Sequence, residues 1–227
     1  MKKYLIPGLF TLVIVAVIIF AVRAVSNTSN DSKPEDSQPP TVTLSDQDKK
    51  DLRVGQTTGP ADAKVVLTEF SDMQCPACKF YETTIREIRA EYKDQVLFVF
   101  KHFPLAPSPH KNAQLAAIAI ESAAVQGKFW EMHDLMYDKQ EDWAEVDNPK
   151  DKYTEYAGQV GMNTDQFKKD YDSETGKDAI KRDKDFGTRL KLKGTPSFFI
   201  DGVDFKTTGD PGALKAAIKQ AVEQAAK

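Results

Sequence analysis

Hydrophobic and polar positions are unevenly distributed along the chain, and the longest apolar run lies near the start. Residues Tyr4–Val22 carry no charge, with Lys2 and Lys3 before them and Arg23 after. As a helix this run would span about 28 Å, close to the hydrocarbon thickness of a bilayer. We therefore predict a signal anchor over residues 1–25, with a cleaved signal peptide as the alternative. The basic residues before the span favour an extracytoplasmic location for the rest of the chain.

The segment after this run has the opposite character. Residues 26–40 contain no apolar side chain and include three prolines. Such a composition cannot bury enough surface to offset the entropy of ordering. The sequence thus predicts a flexible tether over residues 26–51 and a folded domain over residues 52–227, with a possible short edge element between residues 42 and 54.

A β-α-β unit follows from the next change of pattern. The β-branched run Lys64–Phe70 is typical of a strand, and the apolar run Gln95–Phe100 predicts a strand buried on both faces. Between them, apolar residues recur at helical spacing from Cys78 to Tyr92. Pro76 suits the first position of that helix, where the missing N–H costs nothing.

The second half of the chain is first helical and then a hairpin. Residues 107–193 show helical periodicity and predict an inserted helical region, whose fifth helix runs from Ser173 to about Leu192. Asp201-Gly202 is a preferred two-residue turn between strands. Asp210 can cap a last helix that has Pro211 at its first position. The fold class expected is therefore α/β, with a helical insertion between the β-α-β unit and the C-terminal hairpin and helix.

Composition narrows the function classes. The chain has 227 residues, 41% of them hydrophobic, and a net charge of −3. This length suffices for a proper core, and the charge balance argues against a nucleic-acid binder. Only two cysteines are present, too few for a disulfide scaffold or a four-ligand zinc site.

Those two cysteines, Cys75 and Cys78, form a C-x-x-C motif at the predicted helix start. The nucleophile of disulfide chemistry is the thiolate, and a helix N-terminus favours an anion. Cys75 is thus expected to be the nucleophile, with Cys78 on the buried side as the residue that resolves a mixed disulfide. A purely structural bridge and a zinc half-site completed by histidines are the weaker alternatives. His133 reads as a core histidine, and His102 follows a buried strand.

The segments EFSDMQCPACKF and KGTPSFFIDG resemble the thioredoxin superfamily. KHFPLAPSPH and QGKFWEMHDLMYDKQ make the chain similar to its DsbA-like branch, particularly the membrane-anchored thiol–disulfide oxidoreductases of bacteria. The resemblance covers residues 53–226. It implies a mixed sheet with flanking helices and a helical cap over the active-site face.

The resemblance also implies roles for individual residues. Pro196 matches a cis proline that lies against the redox pair, and Thr195 before it matches a residue whose backbone binds an extended substrate segment. Glu69 matches a buried acid that assists proton transfer at the second cysteine. The dipeptide between the cysteines, Pro76-Ala77, modulates the redox potential, and Ala77 lacks the histidine found there in some members.

From these features we expect a membrane-bound thiol oxidase with its catalytic domain on the extracytoplasmic side. Its disulfide would pass to unfolded or exported proteins through a mixed disulfide at Cys75, and a quinone-linked membrane partner would reoxidise the pair. No cofactor beyond this disulfide, no metal and no nucleic acid are expected. A reductase or isomerase of the same fold is the first alternative. A tethered binding or chaperone module with structural cysteines is the second.

Overall fold

A five-stranded mixed sheet organises residues 44–227, the part of the chain that the computed structural model describes. β2 and β3 run parallel, β1 pairs antiparallel with β3, and β4 and β5 form an antiparallel hairpin beside β2. The strands stand in the order β1-β3-β2-β4-β5. Their bounds are β1 Gln56–Thr58, β2 Val65–Ser71, β3 Val96–His102, β4 Ser197–Ile200 and β5 Val203–Phe205.

Nine helices surround this sheet within the described residues. α2 follows β2 directly, α3 to α8 form the insertion between β3 and β4, and α9 packs beside α2. Their bounds are α1 Asp46–Asp51, α2 Pro76–Glu91, α3 Ala113–Ala124, α4 Phe129–Asp138, α5 Gln140–Trp143, α6 Lys150–Gln159, α7 Thr164–Asp172, α8 Lys177–Arg189 and α9 Pro211–Ala225. The predicted β-α-β unit, inserted helices, hairpin and last helix are all confirmed.

The two faces of the sheet bury different sets of side chains. Successive residues of a strand point to opposite faces, so β2 divides its residues between them. Val65 and Leu67 lie in the large core cluster that contains Cys78, whereas Phe70 packs with Phe186 in a second cluster. The same alternation places Glu69 and Ser71 on the face that α2 covers.

The segment predicted as a tether ends earlier than expected. Residues Asp46–Asp51 form α1. A capping box between Ser45 and Asp48 stabilises the start of this helix, since each side chain accepts a hydrogen bond from the backbone N–H of the other residue. The short edge element predicted between residues 42 and 54 is not present at residues 44–54, where α1 lies; the edge strand β1 begins only at Gln56. The predicted span and the remainder of the tether lie outside the described residues. Within residues 44–227, no helix has the length and apolar character needed to cross a membrane.

The last helix of the insertion, α8, which the sequence predicts as its fifth, begins at Lys177 rather than at Ser173. The reason is Gly176, whose φ of +82° is left-handed backbone that cannot continue a helix. A Cβ at this glycine would lie 2.3 Å from Cβ of Glu121 on α3, so no other residue fits at this position without displacing Glu121. The hydrophobic periodicity of the sequence did not predict the four-residue helix α5.

We expect Gly176→Ala to destabilise the protein more than Gly127→Ala. Both glycines have positive φ, so each substitution should cost about 1 kcal/mol in backbone strain. At Gly127 a Cβ meets no atom within 4 Å, whereas at Gly176 it collides with Glu121, which should add about 1–3 kcal/mol. Urea unfolding of the two full-length variants checks this, and equal losses would contradict the packing described for Gly176.

Candidate active site

Cys75 and Cys78 lie at the start of α2, where the sequence places them. Cys75 is the residue before the helix, and Pro76 opens it. Both thiols are free, Cys78 fully buried and Cys75 nearly so, while Pro76 and Ala77 are exposed. Only the first cysteine thus reaches the surface that another protein could approach.

The pKa of the Cys75 thiol is lowered to about 6. The largest cause is the hydrogen bond from the thiol of Cys78, which stabilises the thiolate; burial opposes it. Hydrogen bonding from the backbone N–H groups of Cys78 and Ala77 lowers the pKa further. Ala77 therefore contributes through its backbone. The thiol is mostly ionised at neutral pH.

Cys78 behaves in the opposite way. Burial raises the pKa of its thiol well above the ordinary value, and the hydrogen bond to Cys75, the charge of Cys75 and the charge of Glu69 add to this. One thiol is therefore held as a thiolate and the other as a neutral thiol, which are the states required of a nucleophile and of a resolving group before deprotonation.

Thr195 and Pro196 face this pair from the loop before β4. The peptide bond between them is cis, as the resemblance implied. Sγ of Cys75 lies 3.5 Å from the carbonyl oxygen of Thr195, and the Thr195 hydroxyl has no hydrogen-bond partner within the described chain. The sequence thus brings together two segments that lie 120 residues apart.

Glu69 is buried on the face of β2 that α2 covers. Burial raises the pKa of its carboxyl group to about 8, and the charge of Glu82 adds to this; hydrogen bonding from Ser71 and the charge of Arg89 oppose it. One carboxyl oxygen has no hydrogen-bond partner among residues 44–227. With a pKa of about 8, the Glu69 carboxyl group holds its proton at neutral pH, and its negative charge, when present, raises the pKa of the Cys78 thiol.

Residues of the insertion fix the loop before Cys75, which sequence reasoning missed. The buried carboxylate of Asp72 accepts hydrogen bonds from the backbone N–H groups of Gln74 and Leu105 and lies 2.7 Å from Nδ1 of His110. The Asp72 carbonyl accepts in turn from the backbone N–H of Cys75. Asp72 thus connects the nucleophile to the segment that leads into the insertion.

Side-chain amides complete this connection. Nε2 of Gln140 on α5 donates to the carbonyl oxygens of Met73 at 2.8 Å and Cys75 at 3.3 Å. Gln74 accepts from the backbone N–H of Asn112 and donates to the carbonyl of Ala144. The sequence can indicate the tight turn in which Asp72 accepts from the backbone N–H of Gln74. It cannot indicate the other partners of these two residues, because those lie tens of residues away along the chain.

The two buried histidines lie elsewhere in the core. His133 packs among aromatic rings, as predicted for a core histidine, with Nδ1 2.8 Å from Asp134. Nε2 of His102 lies 2.7 Å from Glu121, on α3. Glu82, His133 and Asp134 bring ligand-type atoms within 4.8 Å of one another. Arg86 and Arg89 donate to both carboxylates, however, and balance their charge without an ion.

A thiol pair at a helix start, with a cis proline in the neighbouring loop before β4, is the arrangement that the resemblance to the thioredoxin superfamily implies. A family model described as "Thioredoxin" matches residues 52–220, and the chain belongs to this family. Its fold, with the inserted helices, is DsbA-like, as solved structures show.

Three solved structures illustrate the likeness. BdbD from Bacillus subtilis, in its oxidised form, is 24% identical, with a TM-score of 0.64 over 74% of this chain and 92% of that one. Alpha-DsbA1 from Wolbachia pipientis is 19% identical, with a TM-score of 0.64 over 74% and 91%. A thioredoxin-like oxidoreductase from Silicibacter pomeroyi is 20% identical, with a TM-score of 0.63 over 80% and 99%. At such identities the likeness concerns the fold.

The chain is also similar to part of several curated proteins that are named as sodium/proton antiporters. The Na(+)/H(+) antiporter NhaA 3 of Salinispora tropica is 35% identical over 167 residues, which are 74% of this chain and 24% of the relative. The antiporter NhaA 1 of Mycolicibacterium vanbaalenii is 36% identical over 165 residues, 71% of this chain and 25% of the relative. The chain spans about a quarter of the length of these relatives. The antiporter name belongs to those proteins as wholes.

We expect the reduced full-length protein to show one thiolate titration near pH 6, from Cys75. Cys75→Ala should remove it. Cys78→Ala should move it upward by about one pH unit, because the hydrogen bond that contributes most is lost. The ultraviolet absorbance of the thiolate measures both effects. An unchanged titration in Cys78→Ala would contradict the role assigned to the second thiol.

Proposed function

We propose that this protein is a thiol–disulfide oxidoreductase that donates the Cys75–Cys78 disulfide to proteins bearing thiols. The observation that carries this proposal is the opposite behaviour of the two thiols: the accessible one has a lowered pKa and the buried one a raised pKa. A structural bridge would require neither an ionised thiol at the surface nor a buried proton donor beside the second sulfur.

The reaction follows from this arrangement. A substrate thiolate attacks Sγ of Cys75 in the oxidised protein, the Cys75–Cys78 bond breaks, and Cys78 leaves as a thiolate. Glu69 gives its proton to that thiolate. A second substrate thiolate then attacks the substrate sulfur of the mixed disulfide, and Cys75 leaves as a thiolate. The substrate loses two electrons and gains a disulfide, while the cysteine pair gains two electrons.

The lowered pKa of Cys75 favours the oxidase direction. A thiolate of low pKa is a good leaving group, and its stabilisation belongs to the reduced state alone. The folded pKa lies below the ordinary thiol value. The stabilisation is therefore complete above that ordinary value and is lost as the pH falls through about 6. At neutral pH it favours the reduced pair, which makes the disulfide oxidising.

The cellular setting is also part of the proposal. The uncharged run at residues 4–22 and its flanking charges support a single-pass anchor with the redox domain outside the cytoplasm. Exported proteins would then be the substrates, and a quinone-linked membrane partner would reoxidise the pair. The absence of a third cysteine from the sequence fits a protein that handles the thiols of others.

The oxidised full-length protein should promote disulfide formation in a reduced, unfolded substrate protein, and Cys75→Ser should abolish this. In Cys78→Ser, the Cys75 thiolate should attack a peptide whose cysteine is already in a disulfide with a small aromatic thiol, release the aromatic thiolate, and leave a mixed disulfide with the peptide that persists. A reduction potential of about −120 mV for the Cys75–Cys78 couple would support the oxidase, and one of about −270 mV would support a reductase. Full biological activity of Cys75→Ser would contradict all redox proposals and favour a binding module.

We also expect Glu69→Gln to slow release of Cys78 at neutral pH. The carboxyl group is protonated below about pH 8 and can supply the proton that Cys78 needs, whereas an amide cannot. The loss should be on the order of 10²-fold, the lower range for a positioned acid. Stopped-flow reduction of the oxidised protein by a small dithiol measures it. An unaltered rate would show that Cys78 takes its proton from elsewhere.

A further inference from the structure

The three histidines of the chain all lie beside a carboxylate, but they differ in what the rest of the ring meets. One ring nitrogen of each is within 2.8 Å of its carboxylate oxygen. In His102 and His133 the other ring nitrogen is buried without a partner. The side chain of His110 is 12% exposed, and its Nε2, which has no partner among residues 44–227, is not enclosed in this way. His110 is therefore the histidine whose second nitrogen can exchange a proton with a molecule outside the protein.

The buried partner of His110 fixes the form of the imidazole ring. Oδ1 of Asp72 accepts from the backbone N–H of Gln74 at 2.7 Å, and Oδ2 accepts from that of Leu105 at 3.0 Å. Oδ2 also lies 2.7 Å from Nδ1 of His110. Because an ionised carboxylate only accepts hydrogen bonds, Nδ1 carries the hydrogen in this contact. In the neutral ring the lone pair is then on Nε2, the nitrogen that is not enclosed.

This pair stands beside the nucleophilic cysteine. The backbone N–H of Cys75 donates to the carbonyl oxygen of Asp72 at 3.0 Å, in a turn that keeps the two Cα atoms within about 7 Å. Oε1 of Gln74 accepts from the backbone N–H of Asn112 at 2.7 Å. The loop that carries His110 is thus held against the segment that carries Cys75 by contacts at both Asp72 and Gln74.

We propose that His110 is the general base that takes the proton from the substrate thiol, and that Asp72 is the positioning residue that holds its imidazole. The proposal rests on the proposed function, in which a substrate thiolate attacks Cys75. A buried carboxylate that orients an imidazole through Nδ1 also stabilises the imidazolium that forms. The same relation holds here between Asp72 and His110, with a thiol in place of a hydroxyl group.

The proposed step conserves protons and electrons. The substrate S–H gives its proton to Nε2 of His110, and the substrate sulfur attacks Sγ of Cys75. The Cys75–Cys78 bond breaks, and its electron pair goes to the sulfur of Cys78. The imidazolium stands beside the Asp72 carboxylate, so the pair has no net charge until His110 passes the proton to water. The ring is then ready for the second substrate thiol.

A base at this place matters for one class of substrate. The attacking species is the thiolate, and a cysteine of ordinary pKa, about 8.5, is only about 3% ionised at pH 7. A base can raise the reactive fraction of such a thiol by up to about 30-fold. The low pKa of Cys75 gives no help in this step, because Cys75 is part of the disulfide. The substrate class is therefore the cysteine of an unfolded chain, whose acidity nothing enhances.

The test compares two thiols in stopped-flow reduction of the oxidised full-length protein. One is a peptide with two ordinary cysteines, and the other is an electron-poor aromatic thiol that is already ionised at pH 7. His110→Asn keeps a side-chain N–H for Asp72 but has no basic nitrogen. With the peptide at about pH 7 its rate should be about 10-fold lower than that of the wild type, within the limit of about 30-fold. With the aromatic thiolate the rate should be unchanged.

The pH of the assay gives a second comparison. Above about pH 9.5 most of the peptide thiol is ionised without help, so the rates of the wild type and His110→Asn should converge. Lys111→Gln is the matched control. Lys111 is next to His110 and its Nζ lies 3.1 Å from Oδ1 of Asp147 at the surface, so this variant removes a charge from the same loop and leaves the imidazole in place. Its rates should equal those of the wild type.

The other outcomes would overturn the base. These are an unchanged rate with the peptide, an equal loss with both thiols at every pH, which indicates a structural role alone, and an equal loss in Lys111→Gln. If His110→Asn does not fold, modification of the oxidised wild-type protein by diethyl pyrocarbonate, reversed by hydroxylamine, decides by the same comparison of thiols. A wild-type protein that reacts with neither thiol would reject the proposed function itself, whereas the outcomes above reject the base and leave that function standing.

Discussion

Burial of Cys78 beside Glu69 is the constraint on which the rest of the structure depends. In water the carboxyl group would be ionised at neutral pH. Under the start of α2, burial raises the pKa of both groups, so each holds its proton at neutral pH. In the proposed reaction, this is what allows Glu69 to supply a proton to Cys78 when the disulfide opens.

The insertion supplies the surroundings that make this control possible. Gln140 and Asn112 fix the loop that carries the nucleophile, and the Tyr137 hydroxyl on α4 lies 2.9 Å from Oγ of Ser71 at the end of β2. The thioredoxin-like sheet alone provides the strand and helix that present the two cysteines. The added helices exclude water from the second cysteine and hold the first in a fixed position, so the redox site belongs to both parts of the fold.

The sequence was most informative where chemistry and local structure coincide. Cys75, Pro76 and the apolar stripe that begins at Cys78 identify a helix start with a nucleophile on it, because each depends on neighbouring residues. The family resemblance added the cis bond before Pro196 and drew attention to Glu69. The contacts of Asp72 and Tyr137 depend on partners far along the chain, and periodicity carries no information about them. The start of α8 was misplaced because the collision at Gly176 involves another helix.

The partners of the active-site loop have a consequence for synthesis of the protein. The thiol pair leaves the ribosome early, but Gln140 follows Cys75 by 65 residues and Thr195 follows it by 120. A growing chain that has emerged only through β3 carries both cysteines without the hydrogen bonds that join Cys75 to these residues. The redox site therefore matures late, and each newly made chain acquires its full thiol chemistry only once the whole domain has closed around it.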